Sequence, residues 1–136
     1  MLQPLPRLVG VDVGTKRVGL ATADPMGMAA QPHGAYSPND ALAELKRLHA
    51  GGGVSGVVVG WPLDEDGGDA SAQRFAAPYV RRIEKALPGV PVHRVDERYS
   101  TMRAGEVLRA TGRRRTKDGL DSAAAALILQ DYLDGV

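Results

Sequence analysis

Apolar residues recur along this chain in two rhythms, and the rhythm changes mark the elements. Over residues 8–13 a period of two puts Val9, Val11 and Val13 on one face and Gly10 and Asp12 on the other, with Gly14 continuing the second set. This predicts a strand whose valine face is buried. Gly14-Thr15-Lys16 reads as a turn and residues 17–23 as a returning strand, so the chain opens with a hairpin. Residues 26–31 supply a short third strand before Pro32. Ser37-Pro38-Asn39-Asp40 then offers a helix cap with a proline near the start, and Ala41, Leu42, Leu45 and Leu48 follow at helical spacing as far as Gly51-Gly52-Gly53.

Residues 54–60, centred on Val57-Val58-Val59, are apolar without alternation, which predicts a parallel strand buried on both faces. Residues 60–69, with Pro62 and Asp64-Glu65-Asp66-Gly67-Gly68, are expected to form a loop. A helix from Ala70 carries Phe75, Tyr79, Val80, Ile83 and Leu87 and stops at Pro88-Gly89, with a kink or late restart expected at Pro78. Residues 90–95 make a further strand. Ser100-Thr101 caps a helix to about Thr111, residues 112–117 form a basic loop, and a last helix spans 118–133. The order predicts an α/β fold: a mixed five-stranded sheet, antiparallel through its first three strands and then parallel, flanked by helices. A chain of 136 residues fits a single domain over 1–136.

Composition narrows the chemistry. There is no cysteine, and the three histidines show no ligand spacing, so a bound metal would be held by oxygen. One Phe and one Trp leave a core of Val, Leu, Ile and Ala and few platforms for stacking bases. No window approaches the roughly 20 apolar residues that span a bilayer, and no signal peptide is evident, so a cytoplasmic protein without a membrane partner is expected. The net charge of +1 is unevenly spread: residues 94–117 hold eight Lys or Arg against three acids, and the rest of the chain is net negative. That asymmetry points to an anionic partner, nucleic acid first, although a solvated basic helix face gives the same count.

Three acidic positions gather at one end of the predicted architecture. Asp12 lies on the first strand between two glycines, Asp96-Glu97 closes the last strand, and Asp118 and Asp121 open the final helix. Carboxylates converging from two strands and a helix suit Mg²⁺ or Mn²⁺, and two such ions about 3.5–4 Å apart activate a water and stabilise a leaving oxygen. The bare glycine face around Asp12 suits close approach by a metal-bound phosphate. Each acid also has a plainer role: Asp118 as a helix cap, Asp121 as a partner of the helix dipole, and Asp96-Glu97-Arg98 as a surface ion-pair cluster.

Four segments together resemble the YqgF (RuvX) family: Val11-Asp12-Val13-Gly14-Thr15-Lys16-Arg17-Val18-Gly19, Gly60-Trp61-Pro62-Leu63, Asp96-Glu97-Arg98-Tyr99-Ser100-Thr101 and the run from Asp121 to Gln130. The resemblance covers nearly the whole chain. It implies an RNase H-like fold shared with the RuvC junction resolvases, and a metal-dependent nuclease associated with maturation of the 5′ end of pre-16S ribosomal RNA. It also implies that the catalytic, metal-binding acids are Asp12, Glu97 and Asp121. Asp118 stands three residues before Asp121, the paired-aspartate spacing of the resolvases, and is a candidate fourth ligand. Two departures are visible: the second acid comes from the strand next to the one RuvC uses, and Trp61 replaces a usual aliphatic residue, either as a core plug or as a base-stacking surface.

Lys16, Arg17, Arg98, Arg113, Arg114, Arg115 and Lys117 would then hold the phosphates around these acids. The expected activity is hydrolysis of RNA phosphodiesters by a monomer or homodimer. Two other readings stay open: a resolvase of branched DNA, which calls for a symmetric dimer, and a nucleic-acid-binding module without catalysis. An actin-like or sugar-kinase fold opens with a similar strand, but it needs two such domains around its nucleotide, and this chain has room for one.

Overall fold

The computed structural model describes residues 5–62, 70–97 and 117–135, with side chains for 5–61, 75–96 and 119–135. Five strands form one sheet: β1 (Arg7–Val13), β2 (Val18–Ala23), β3 (Ala30–Tyr36), β4 (Val54–Pro62) and β5 (Val92–Glu97), in the order β3-β2-β1-β4-β5. β1 to β3 pair antiparallel, while β4 runs parallel to β1 and β5 parallel to β4. Helices α1 (Pro38–Gly51), α2 (Ala70–Ala86) and α3 (Lys117–Leu133) complete the described architecture. It is the mixed α/β sheet that the element order predicts. The helix expected over 100–111 and most of the basic loop lie outside the described residues.

The two faces of the sheet are buried separately. Val9, Val11, Leu20, Val57 and Val59 pack with Ala41 and Leu45 of α1 and with Tyr79 and Ile83 of α2. On the other side Ala21, Val58 and Val95 meet Ala125, Ile128 and Leu129 of α3. β4 therefore feeds both cores, which is why its sequence shows no alternation. Burial of each large aliphatic side chain contributes about 1.5–3 kcal/mol.

Local chemistry sets the ends of α1. Ser37 is the N-cap, its hydroxyl accepting from the Asp40 amide at 3.2 Å, with Pro38 in the first turn. At the other end the chain leaves the helix through Gly52 and Gly53, the latter at φ +94°. α2 runs through Pro78 as one helix, without the restart the sequence allowed.

The third strand lies later than its sequence predicts, at Ala30–Tyr36 in place of 26–31. The Asp24 carboxylate accepts from the amides of Met26, Met28 and Ala29, which folds residues 24–29 into a loop and delays the strand. Pro32 sits inside the strand. It is tolerated because β3 is an edge strand and its register slips there: Ala21 pairs with Pro32 but Leu20 with Gly34.

Candidate active site

The glycines flanking Asp12 have a different purpose from the one their pattern implies. A Cβ on Gly10 would lie 2.6 Å from the Ala125 carbonyl oxygen and 2.8 Å from the Leu129 Cβ. The bare face around position 10 is filled by α3, not left open for a ligand. Gly60 on β4 likewise takes the Ile128 side chain, whose Cδ1 would be 2.4 Å from an added Cβ. Small residues on both partners, Ala125 and Ala126 on the helix among them, let α3 lie directly on the sheet.

That seating carries Asp121 to Asp12. Asp12 is in register with Gly19 of β2, and the Asp121 carbonyl oxygen lies 2.0 Å from where a Gly19 Cβ would be. Gly19 is the residue that sequence reasoning passed over. Its signal was a glycine in a strand interior directly opposite the candidate acid, a position that marks close backbone approach. Both aspartates keep some contact with solvent. Asp12 is nevertheless pushed up to about 6, first by burial and then by the negative charge of Asp121. The ionised form of Asp12 is thus disfavoured beside a second carboxylate, the electrostatic condition that a hard cation relieves.

β1, β4 and β5 run in one direction and end at one edge of the sheet. Val11 is in register with Val59 and Gly60 with Val95, so residue 97 reaches Asp12's edge two residues further along. β1 and β5 are two strand spacings apart, roughly 10 Å. By alternation position 97 has the parity of Val95, which packs on α3. Position 96 has the other parity: Asp96 is in register with Trp61, whose ring packs on the α1/α2 core. The side chains of Glu97 and Asp118 lie outside the described residues. Among the described side chains no three acids or histidines form a metal-binding group.

The cationic residues divide in the same way. The turn after β1 is closed by the Gly14 amide donating to the Arg17 carbonyl at 2.9 Å, which places Lys16, exposed, and Arg17, half-buried, just beyond Asp12. Arg98, Arg113, Arg114 and Arg115 lie outside the described residues, and Lys117 is described as the first residue of α3 without its side chain. Trp61 is half-buried against the core with the Arg94 guanidinium 4.2 Å above its ring. That packing is the core plug, with a cation over one face of the ring.

The sequence pattern of the family described as "RuvX: Holliday junction resolvase" matches residues 6–135. A protein of Salinibacter ruber is 48% identical over 132 residues, 94% of this chain and 92% of its own. One from Chlorobium luteolum is 39% identical over 98% of this chain and 97% of its own. Both bear the name "Putative pre-16S rRNA nuclease". Among solved structures, T. thermophilus RuvC in complex with Holliday junction substrate matches with a TM-score of 0.57 at 15% identity, over 96% of this chain and 94% of that one. The yeast mitochondrial resolvase Ydc2 matches at 0.52 and 12% identity, over 98% and 80%. These structural likenesses show a shared fold, the RNase H-like one.

Proposed function

The chain belongs to the RuvX family, and from that premise we propose that it is a divalent-metal-dependent nuclease hydrolysing RNA, in the 5′-end processing of pre-16S ribosomal RNA. The observation that carries the reading is the convergence of Asp121 on Asp12, whose carboxyl is raised to about 6 first by burial and then by the charge of Asp121. Residues 1–136 act as one domain in the cytoplasm. No helix among the described residues is long and apolar enough to cross a membrane.

The donor set fits a hard cation, since it consists of carboxylate oxygens brought together against their own repulsion. Asp12 and Asp121 would hold Mg²⁺ or Mn²⁺, with Glu97 and Asp118 as the further ligands. Such an ion supplies a water of lowered pKa and polarises the phosphodiester. The chain's own part is positional. The sheet fixes Asp12, the packing of α3 fixes Asp121, and Lys16 and Arg17 stand where a backbone phosphate would enter. No histidine is required as base.

The test is a cleavage assay on labelled precursor rRNA, single-stranded RNA, single-stranded DNA and four-way DNA junctions, each with Mg²⁺, Mn²⁺ and EDTA. Metal-dependent cutting of RNA, lost in Asp12→Asn, is the expected result. Cutting of junctions without RNA would put the family's resolvase description in its place. Binding of RNA without any cutting would leave a nucleic-acid-binding module.

A further inference from the structure

The chain has a single phenylalanine, and the fold leaves it outside the core. Phe75 on α2 is 52% exposed, while Tyr79, Val80 and Ile83 of the same helix are buried. Phe75, Pro78 and Arg82 form one side of an open groove of about 190 Å³. Val13, Thr15 and Pro38 form the other. The floor is fixed: the Tyr79 hydroxyl donates to the Pro38 carbonyl at 2.7 Å, and Arg82 lies 5.5 Å over the Tyr79 ring while donating to Asn39.

Arg82 is the charged residue that lines this groove, and further cations follow its lining residues in sequence. Lys16 directly follows Thr15 and is exposed, as are Arg81, Arg82 and Lys85, with Glu84 the only exposed acid among residues 81–85 of α2. An exposed flat ring beside cations matches a nucleobase carrying its phosphate. The groove also adjoins the active site. Val13 lines it, and Asp12, one residue earlier, takes the opposite face of the same strand. A nucleic-acid strand crossing the end of β1 from one face of the sheet to the other would reach both.

We propose that the Phe75 groove is a subsite for an unpaired nucleotide next to the scissile phosphate, its base stacked on Phe75 and its phosphate held by Lys16 and Arg82. This rests on the nuclease reading and deepens it by naming the substrate class: the strand is single at that point. A base inside a duplex is already stacked and cannot reach the ring.

Binding is measured apart from cleavage, by fluorescence anisotropy in EDTA, on one oligoribonucleotide sequence as a single strand and as a duplex. The wild-type chain binds the single strand more tightly. Phe75→Ala weakens that binding about tenfold, equivalent to about 1.4 kcal/mol, and leaves the duplex unchanged. Phe75→Trp keeps single-strand affinity, and thermal melting shows both variants folded. A 2-aminopurine in the single strand is quenched by the wild type and by Phe75→Trp but not by Phe75→Ala. Equal single-strand affinity of wild type and Phe75→Ala, or an equal loss on strand and duplex, overturns the subsite. If the wild type cuts no RNA while Phe75→Ala still loses single-strand binding, the subsite stands and the hydrolytic reading falls.

Discussion

The carbonyl oxygen of Asp121 occupies the space that the Cβ of any other residue at Gly19 would need, 2.0 Å from its ideal position. Both partners are backbone, so neither yields by a side-chain rotation. In Gly19→Ala the first turns of α3 must move off β2 and take the Asp121 carboxylate with them. Displacement of a catalytic group by about 1 Å costs on the order of 100-fold in rate, and forcing a methyl into a packed seam costs about 1–3 kcal/mol. The expected outcome is a fall in kcat far larger than any change in KM, together with a lowered melting temperature. A variant with wild-type kcat would detach Gly19 from the geometry of the site.

Asp12 should destabilise the metal-free protein at neutral pH. Its folded pKa, about 6, lies above the ordinary 3.8. The stability contributed by the protonated form is fully present below pH 3.8 and is lost as pH rises through 6. Asp12→Asn keeps that contribution at every pH. In EDTA at pH 7–8 the variant should therefore be more stable than wild type, by up to about 2–3 kcal/mol, and melt higher, with the gap closing near pH 4. Mg²⁺ or Mn²⁺ should raise the melting temperature of the wild type and leave Asp12→Asn unmoved. Thermal melts across pH, with and without metal, read both effects.

The parts of this fold that depend on local pattern were legible, and the parts that depend on contact were not. Val57-Val58-Val59 announced a strand buried on both sides because one residue after another needs an apolar neighbour. Ser37-Pro38 announced a helix start because capping is a matter of adjacent residues. Pro32 misled, since its cost in a strand vanishes at an edge with a register slip, and neither fact is local. Gly10 misled more instructively: its missing side chain was read as room for a ligand, whereas the room is filled by Ala125 and Leu129 from more than a hundred residues away. Element order brought Asp12 and Asp121 to one end of the fold, and family resemblance singled them out among the acids there. The structure adds the close approach itself, with glycines on three strands (Gly10, Gly19 and Gly60) that let one helix settle.

A second acidic group gives a stability signature of opposite sign. Glu44 on α1 accepts two bonds from Arg47, at 2.6 and 2.5 Å, and lies 2.6 Å from the His33 ring nitrogen on β3. The Arg47 bonds lead in lowering it from 4.5 to about 2. Its stabilising contribution is present above pH 4.5 and is lost as pH falls through 2. Glu44→Gln should cost about 1 kcal/mol at pH 6 and flatten the loss of stability between pH 4.5 and 2. Urea titrations at a series of pH values measure the slope, and an unchanged slope would remove Glu44 from the acid response.

The basic residues before α3 should act through charge alone. Arg113, Arg114 and Arg115 precede Lys117 and the two aspartates of the last helix in the sequence, so under the proposed function each arginine would neutralise a phosphate of the bound strand. For single strands each neutralised phosphate steepens the logarithmic salt dependence of binding by about 0.7. Replacing all three by alanine should lower that slope by about 2 and weaken RNA binding at low salt whatever the sequence, since contacts to phosphate carry no base information. The Phe75→Ala variant should instead keep the wild-type slope, because a stacked base releases no counterions. Binding isotherms from about 50 to 200 mM salt separate the two contributions, and a triple variant with the wild-type slope would place these arginines away from the bound strand.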